Sequence, residues 1–196
     1  MSSRTRDPEV RERILDVASR LFDSHGVRAV GMQQITDELG CGKAMLYREF
    51  PTKDDLVVAY LERYIHAWDR VRESVAERQP DDPAGQLVAI ISFTAEQAMA
   101  PGYRGCPVRN IHAEFPDEGH PAHRVSVAYY DRVHGDLIDL AEQTGAADPR
   151  RLADRLMLIM DGLNAGGAAR GRAGAAPAGV AFAEEATRHA LGRCGT

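Results

Sequence analysis

Gly40-Cys41-Gly42-Lys43-Ala44-Met45-Leu46-Tyr47-Arg48-Glu49-Phe50-Pro51-Thr52-Lys53-Asp54-Asp55-Leu56 is the stretch whose reading decides the fold. Gly40 suits the end of one short helix, and Gly42 can cap the start of the next. The spacing predicts a helix over 43–50. Leu46 and Phe50, four residues apart, share its inward row. Pro51 has no amide to continue that helix. Thr52 then caps a new one, with Asp55 three residues on forming a near capping box.

Upstream, Met32 to Leu39 reads as a short helix with Ile35 and Leu39 facing inward. Before it, Val10, Ile14, Val17, Ala18, Leu21 and Phe22 make one apolar stripe over Pro8–His25. Asp7-Pro8 opens that helix, since Asp accepts from an orphan amide and Pro loses nothing at the first helical position. Gly26 closes it. Two short helices joined by 40–42 have the spacing of a helix-turn-helix.

Downstream, the helix capped by Thr52 carries Leu56, Val57, Tyr60, Leu61, Tyr64, Trp68 and Val71 and can run to about Glu77. At ~1.5 Å per residue it approaches ~40 Å, enough to bridge two lobes. Residues 79–82 break it. Asp82-Pro83 and Asp148-Pro149 repeat the opening signature of Asp7-Pro8. Helices are expected near 83–100, 108–114, 122–144, 149–168 and 180–191. An irregular stretch falls at 101–121, and a Gly/Ala/Pro loop at 170–179. No segment alternates with period two, so the fold class is all-α.

Composition bounds the function. The hydrophobic share of 44% can bury a core. No apolar run is long enough for a bilayer, and Met1 to Pro8 lacks a signal-peptide core, so a cytoplasmic protein is expected. Cys41, Cys106 and Cys194 are too sparse for a disulfide framework or a four-cysteine zinc site. The net charge is −5, and residues 1–55 hold nine Lys+Arg against ten Asp+Glu. DNA binding must therefore rest on where charges point rather than on their sum. Both lysines of the chain, Lys43 and Lys53, fall in the quoted stretch. There is no GxxxxGK[ST] loop and no HExxH. Gly166-Gly167 follows a helix, not a strand, so it is no dinucleotide fingerprint. An enzyme is not expected, and no cofactor is implied.

The quoted stretch resembles the TetR family of bacterial transcriptional regulators, whose pattern runs Ile-Ala, a short gap, Gly-Val-Ser-x-Gly-Thr-Leu-Tyr-x-x-Phe and then Lys-x-x-Leu. The match covers about residues 10–60. It implies a helix-turn-helix domain over 1–52 and a helical effector-binding and dimerisation domain over 53–196. It also implies a homodimer on palindromic operator DNA, acting as a repressor that a small effector releases. Tyr47 and Lys53 match family positions that contact the DNA backbone.

The residues themselves agree. A short helix after a tight turn fits the ~12 Å major groove. Lys43 lies on its first turn, Tyr47 one turn on, and Arg48 beside it. Arg28 and Gln33, near the start of the preceding helix, are further candidates for DNA contact. The chain departs from the pattern at Cys41, Gly42, Ala44 and Met45, where the family has Val, Ser, Gly and Thr. Two hydroxyls are lost. Met45 gains an apolar surface suited to a thymine methyl.

Gly105-Cys106-Pro107, Ala113-Glu114-Phe115-Pro116-Asp117 and His120-Pro121 are similar to one subgroup of the family. Tyr64, Trp68, Phe93, Met99, Tyr103 and Tyr130, with Met157 and Met160, are candidates to line an apolar effector pocket. Asn110, His112, Glu114 and Asp161 are its candidate polar groups. A metal-responsive alternative would use His112, Glu114, His120 and His123, but Pro116 and Pro121 interrupt regular geometry. A thiol-responsive one would use Cys106, which reads better as a buried small hydrophobe. A regulator without small-molecule control is the remaining alternative. Gly162, Ala165, Gly166, Gly167, Ala168 and Ala169 make the end of one helix small enough for close approach by a second copy.

Overall fold

The computed structural model describes residues 7–192, so Cys194 lies outside the described residues. Nine α-helices occur among them: α1 (Pro8–His25), α2 (Met32–Leu39), α3 (Lys43–Glu49), α4 (Lys53–Arg78), α5 (Pro83–Ala98), α6 (Pro107–Glu114), α7 (Pro121–Gln143), α8 (Pro149–Arg170) and α9 (Ala176–Ala190). No strand is present among the described residues, and the protein is all-α. The Asp-Pro signatures are real helix starts. Asp7 accepts from the Glu9 amide at 3.1 Å, Asp82 from Gly85 at 2.9 Å and Asp148 from Arg151 at 3.0 Å. Such a cap contributes ~1 kcal/mol.

Two compact units emerge. The first comprises the described residues up to Ile65 together with Pro107–Val127, so it takes in α1–α3, the start of α4, α6 and the start of α7. Its core includes Ile14, Ala18, Phe22, Ile35, Leu46 and Phe50, with Leu56 and Leu61 from α4 and Val108 and Ile111 from α6. The Phe22 and Tyr60 rings meet edge to face at 5.4 Å, and the Tyr60 hydroxyl donates to Asp23. Arg63 of α4 donates to Asp16 of α1 at 2.5 Å.

The second unit comprises His66–Cys106 and the residues from Ala128 onward. Within it α5, α8 and α9 pack together. Glycine sets two of these approaches. A Cβ on Gly167 would stand 2.6 Å from the Ala98 Cβ and 2.8 Å from its carbonyl oxygen, so only glycine lets α8 approach α5 this closely. A Cβ on Gly179 would meet Leu163 at 2.7 Å. Gly167 therefore serves packing inside the chain, not contact with a second copy. Arg72 pairs with Asp136 at 2.5 Å and Arg132 with Asp69 at 2.8 Å. Burial pushes the Asp136 carboxyl above its ordinary range, and Arg72 pulls it back down.

The expected loop over 170–179 is shorter in the structure. A 3-10 turn covers Gly171–Ala173, and α9 already begins at Ala176. Pro177 sits in the first turn of α9, where proline is favoured, and Gly179 fits against Leu163. A glycine- and proline-rich composition hid a helix start.

Gly167→Ala tests the packing. Alanine gains ~1 kcal/mol of helix propensity over glycine. Overpacking against Ala98 should outweigh it, for a net loss of about 1–2 kcal/mol in urea unfolding. Gly135→Ala on α7, with nothing within 4 Å of its Cβ, should not show this loss.

Candidate nucleic-acid interface

Helix α3 has two faces of different character. Leu46, Glu49 and Phe50 point into the first unit and are buried. Gly42, Lys43, Ala44, Met45, Tyr47 and Arg48 are all exposed. Met45 is 36% exposed and Tyr47 45%, high values for large apolar side chains on so short a helix. The turn before α3 works as the glycines require. Gly40 adopts φ 63° and ψ 28°, and its amide and that of Cys41 satisfy the last carbonyls of α2. Gly42 stands at the start of α3 in an extended conformation. Cys41 is half-buried rather than fully enclosed.

The base of α3 is held by charges that the sequence did not announce. Glu49 is buried, and Arg48 Nε donates to its Oε1 at 2.9 Å. Arg11 of α1 stacks its guanidinium 4.2 Å over the Phe50 ring and donates to the Glu49 carbonyl at 3.3 Å. Arg48 thus has one edge committed to Glu49 and the rest exposed. Gln33 is exposed on α2 and donates to Asp37 at 2.6 Å.

Lys53 opens α4 beside the Thr52–Asp55 capping box. Thr52 N donates to Asp55 at 2.9 Å, and Asp55 N to the Thr52 hydroxyl at 3.1 Å. Lys53 is half-buried, and that desolvation lowers its pKa from the usual lysine value; Glu114 and Asp54 oppose the shift. Glu114 ends α6. Its carboxylate accepts from the Arg28 amide at 2.8 Å and the Val27 amide at 3.2 Å, clamping the α1–α2 turn. Next to it Phe115 lies under the Arg28 guanidinium at 5.3 Å and stacks on His120 at 4.3 Å. His120 Nε2 is 3.4 Å from Asp54. The clamp joins residues 86 positions apart. No local pattern signals it, although Glu114 and His120 stand out among their neighbours.

The twelve effector candidates divide between the units. Tyr64, Asn110, His112 and Glu114 belong to the first, where Glu114 is engaged by backbone amides. Trp68, Phe93, Met99, Tyr103, Tyr130, Met157, Met160 and Asp161 belong to the second. There the Trp68 and Phe93 rings are 6.2 Å apart, and the buried Trp68 indole N–H has no hydrogen-bond partner among the described residues. Tyr103 donates to Asn164, whose amide donates to the Met160 carbonyl at 2.9 Å. Burial holds the Tyr129 phenol above the ordinary tyrosine range, and so neutral. His112 faces His123 at 4.7 Å, and His123 bonds the Phe115 carbonyl at 3.0 Å. No group of three His, Cys, Asp or Glu among the described residues is arranged to hold a metal ion. Cys106 is buried and unpaired.

A helix-turn-helix with an outward α3, carried on an all-α chain, defines a DNA-binding transcriptional regulator. Residues 14–60 match the bacterial regulatory proteins, tetR family. A TetR-family transcriptional regulator from Streptomyces coelicolor superposes with a TM-score of 0.88 at 30% identity, covering 93% of this chain and 96% of that one. The chain belongs to the TetR family, whose members are regulators and not enzymes. An HTH-type transcriptional regulator of Staphylococcus aureus is 40% identical over 60 residues, spanning 31% of this chain. That match covers 32% of the relative's own length. A regulator from Saccharomonospora viridis, solved in complex with choline, shares the fold with a TM-score of 0.74 at 21% identity, covering 93% of this chain and 97% of that one.

Glu114→Ala should release the α1–α2 turn. The expected loss is about 1–3 kcal/mol of stability, from two bonds to a charged acceptor. Amide exchange at Val27 and Arg28 should quicken. The same variant removes the carboxylate that raises the Lys53 pKa, so Lys53 should titrate lower by NMR than in the unaltered protein.

Proposed function

We propose that this regulator is a repressor that binds a palindromic operator as a homodimer and leaves it when a small molecule occupies the helical half. The observation that carries the DNA-reading part is the exposed face of α3. Lys43 and Tyr47 are suited to phosphate, with Lys53 at the start of α4. Ala44 and Met45 offer apolar contact to thymine methyls. Arg48 reaches DNA with its free edge, and Arg28 and Gln33 lie at the margin. In a dimer the two α3 helices would address half-sites about one DNA turn, ~34–36 Å, apart.

The dimer reading is supported by a second exposed face. Leu158 on α8 is 71% exposed and Phe182 on α9 59%. Gly162, Ala165 and Ala169 continue the Leu158 row and are exposed as well. Apolar side chains of this size in the open mark an association surface, and the symmetric solution is a four-helix interface.

The effector reading is supported by Trp68. An indole N–H in a buried site without a partner is a donor held ready for a ligand acceptor. Effector binding can shift the DNA-bound population only through different affinities for two states. Helix α4 carries both Lys53 and Trp68, so it is the element through which the two events are coupled. No described helix is long and apolar enough to cross a membrane, and a repressor of this kind works in the cytoplasm.

Two experiments test this. Tyr47→Phe should weaken operator binding by ~0.5–1.5 kcal/mol on all sequences alike. Lys43→Ala should flatten the salt dependence by ~0.9 per lost phosphate contact. Unchanged affinity at fixed salt in both variants removes α3 from the interface. Trp68 is the single tryptophan of the chain, so its fluorescence reports on the surroundings of that unpartnered donor. An inducing effector should change that emission and displace DNA over the same concentration range.

A further inference from the structure

Glu49 closes α3, and its side chain is 0% exposed. It is held from two sides. Arg11 of α1 donates to its carbonyl at 3.3 Å and covers the neighbouring Phe50 ring at 4.2 Å, which ties the backbone there to α1. Its Oε1 accepts from Arg48 Nε at 2.9 Å. Its Oε2 is buried and has no hydrogen-bond partner among the described residues.

A carboxylate in that position keeps its guanidinium in place. Release of Arg48 would leave both of its oxygens buried and unpartnered, a costly state for a charged group. Arg48 itself is 37% exposed, so the bond to Glu49 fixes one side of the guanidinium and leaves the terminal nitrogens outward. The group is planar, and fixing Nε–H fixes the plane in which those nitrogens donate. Paired donors in a set plane match the oxygens of one phosphate. A lysine there would keep the charge and lose the fork.

The position along α3 favours phosphate over a base. Arg48 is the last residue but one of the helix. In a helix lying in the major groove, the N-terminal residues meet base edges. Arg48 lies a full turn beyond Ala44 and falls in sequence between Tyr47 and Lys53, both read above as backbone contacts.

We propose that Glu49 is a positioning residue for DNA binding: it holds the Arg48 guanidinium as a preset fork that grips one backbone phosphate. This role rests on α3 being the DNA-facing helix and adds how one of its cations is held. Glu49 itself touches no DNA, and the arginine it orients stands between its charge and the duplex. The sign of the effect is what makes the role testable. Removing a carboxylate near a polyanion ordinarily tightens binding, whereas removing this one should weaken it.

The probe is a duplex that the unaltered protein selects from a random pool, titrated by fluorescence anisotropy across a salt series. Arg48→Ala should weaken binding about tenfold, alike on this duplex and its single-base variants, and lower the salt slope by ~0.9. Glu49→Met removes the acceptor and should weaken binding about fivefold while Arg48 is present. In an Arg48→Ala background the same change should cause no further loss. Glu49→Gln keeps the shape and a neutral acceptor, so its loss should be smaller, and it carries the same comparison if the methionine variant does not fold. Without DNA, the Arg48 Nε–H signal in NMR should be protected from exchange in the unaltered protein and lose that protection in Glu49→Met.

Tighter or unchanged binding by the Glu49 variants overturns the proposal. So does an equal loss in both backgrounds, which marks a purely structural role. A loss confined to one base pair in Arg48→Ala also overturns it, by making Arg48 a reader of bases. So does an Arg48 Nε–H that exchanges freely in the unaltered protein, whatever the variants do. All of these can occur with selection of a duplex intact, and they leave the DNA-facing reading of α3 standing. If the unaltered protein selects no duplex, that reading fails and the role of Glu49 with it.

Discussion

Helix α3 has seven residues, too few to persist alone in water. It exists because Leu46 and Phe50 are buried, with α1 and α2 packed around it. The DNA contacts proposed for α3 depend on that burial. The same i, i+4 row that anchors α3 inward decides which residues are left outward. Lys43, Ala44 and Tyr47 are exposed as a consequence of where Leu46 and Phe50 must go. Arg11 reinforces this by covering Phe50 and bonding the Glu49 carbonyl, so the end of α3 is fixed from α1.

Much of this was legible in the chain because its signals are local. The Asp-Pro starts, the glycine stops at Gly26 and Gly40, and the apolar stripe of α1 act over a few residues, and the helices follow them closely. Lys43 and Tyr47, one turn apart, fall on one exposed face for the same reason. What stayed hidden is set by partners distant in sequence. Glu114 read as a polar group for a ligand pocket, but its carboxylate is engaged by amides 86 and 87 positions away. Gly167 read as a contact for a second copy, but Ala98 requires it inside the chain. The burial of Glu49 is no more visible. Nothing in Arg48-Glu49 distinguishes a solvated pair from one with a carboxylate enclosed. The start of α9 was obscured because glycine and proline there serve packing and initiation rather than a loop.

The Glu114 clamp changes how the first unit should be understood. A helix-turn-helix is usually pictured as three helices, yet here α6 and the start of α7 complete the same compact body. The charged acceptor on two amides of the α1–α2 turn sets how α1 enters α2. The half-buried Lys53 lies within the field of that carboxylate, so a candidate DNA-contacting cation and a turn-clamping anion share one environment. Movement of α6 would leave two amides without their acceptor and take from Lys53 a carboxylate that raises its pKa. Both consequences follow from one side chain, Glu114, and neither involves α3.

Charge explains how a chain of net −5 can still bind a polyanion. Most arginines of the first unit are occupied. Arg20 faces Glu38 at 3.7 Å, Arg48 holds Glu49, Arg63 holds Asp16, Arg11 lies on Phe50 and Arg28 on Phe115. Three of these arginines face carboxylates and two lie on rings, a contact that leaves the charge in place, so attraction to a polyanion depends on where the remaining cations stand. Met45 and Ala44, which stand where the family pattern has Thr and Gly, add exposed apolar surface to α3 beside those cations. Such a surface gains little on random DNA and more on a matching thymine methyl. On the proposed reading of α3, the cations would supply affinity for any duplex and the apolar residues between them the preference among sequences.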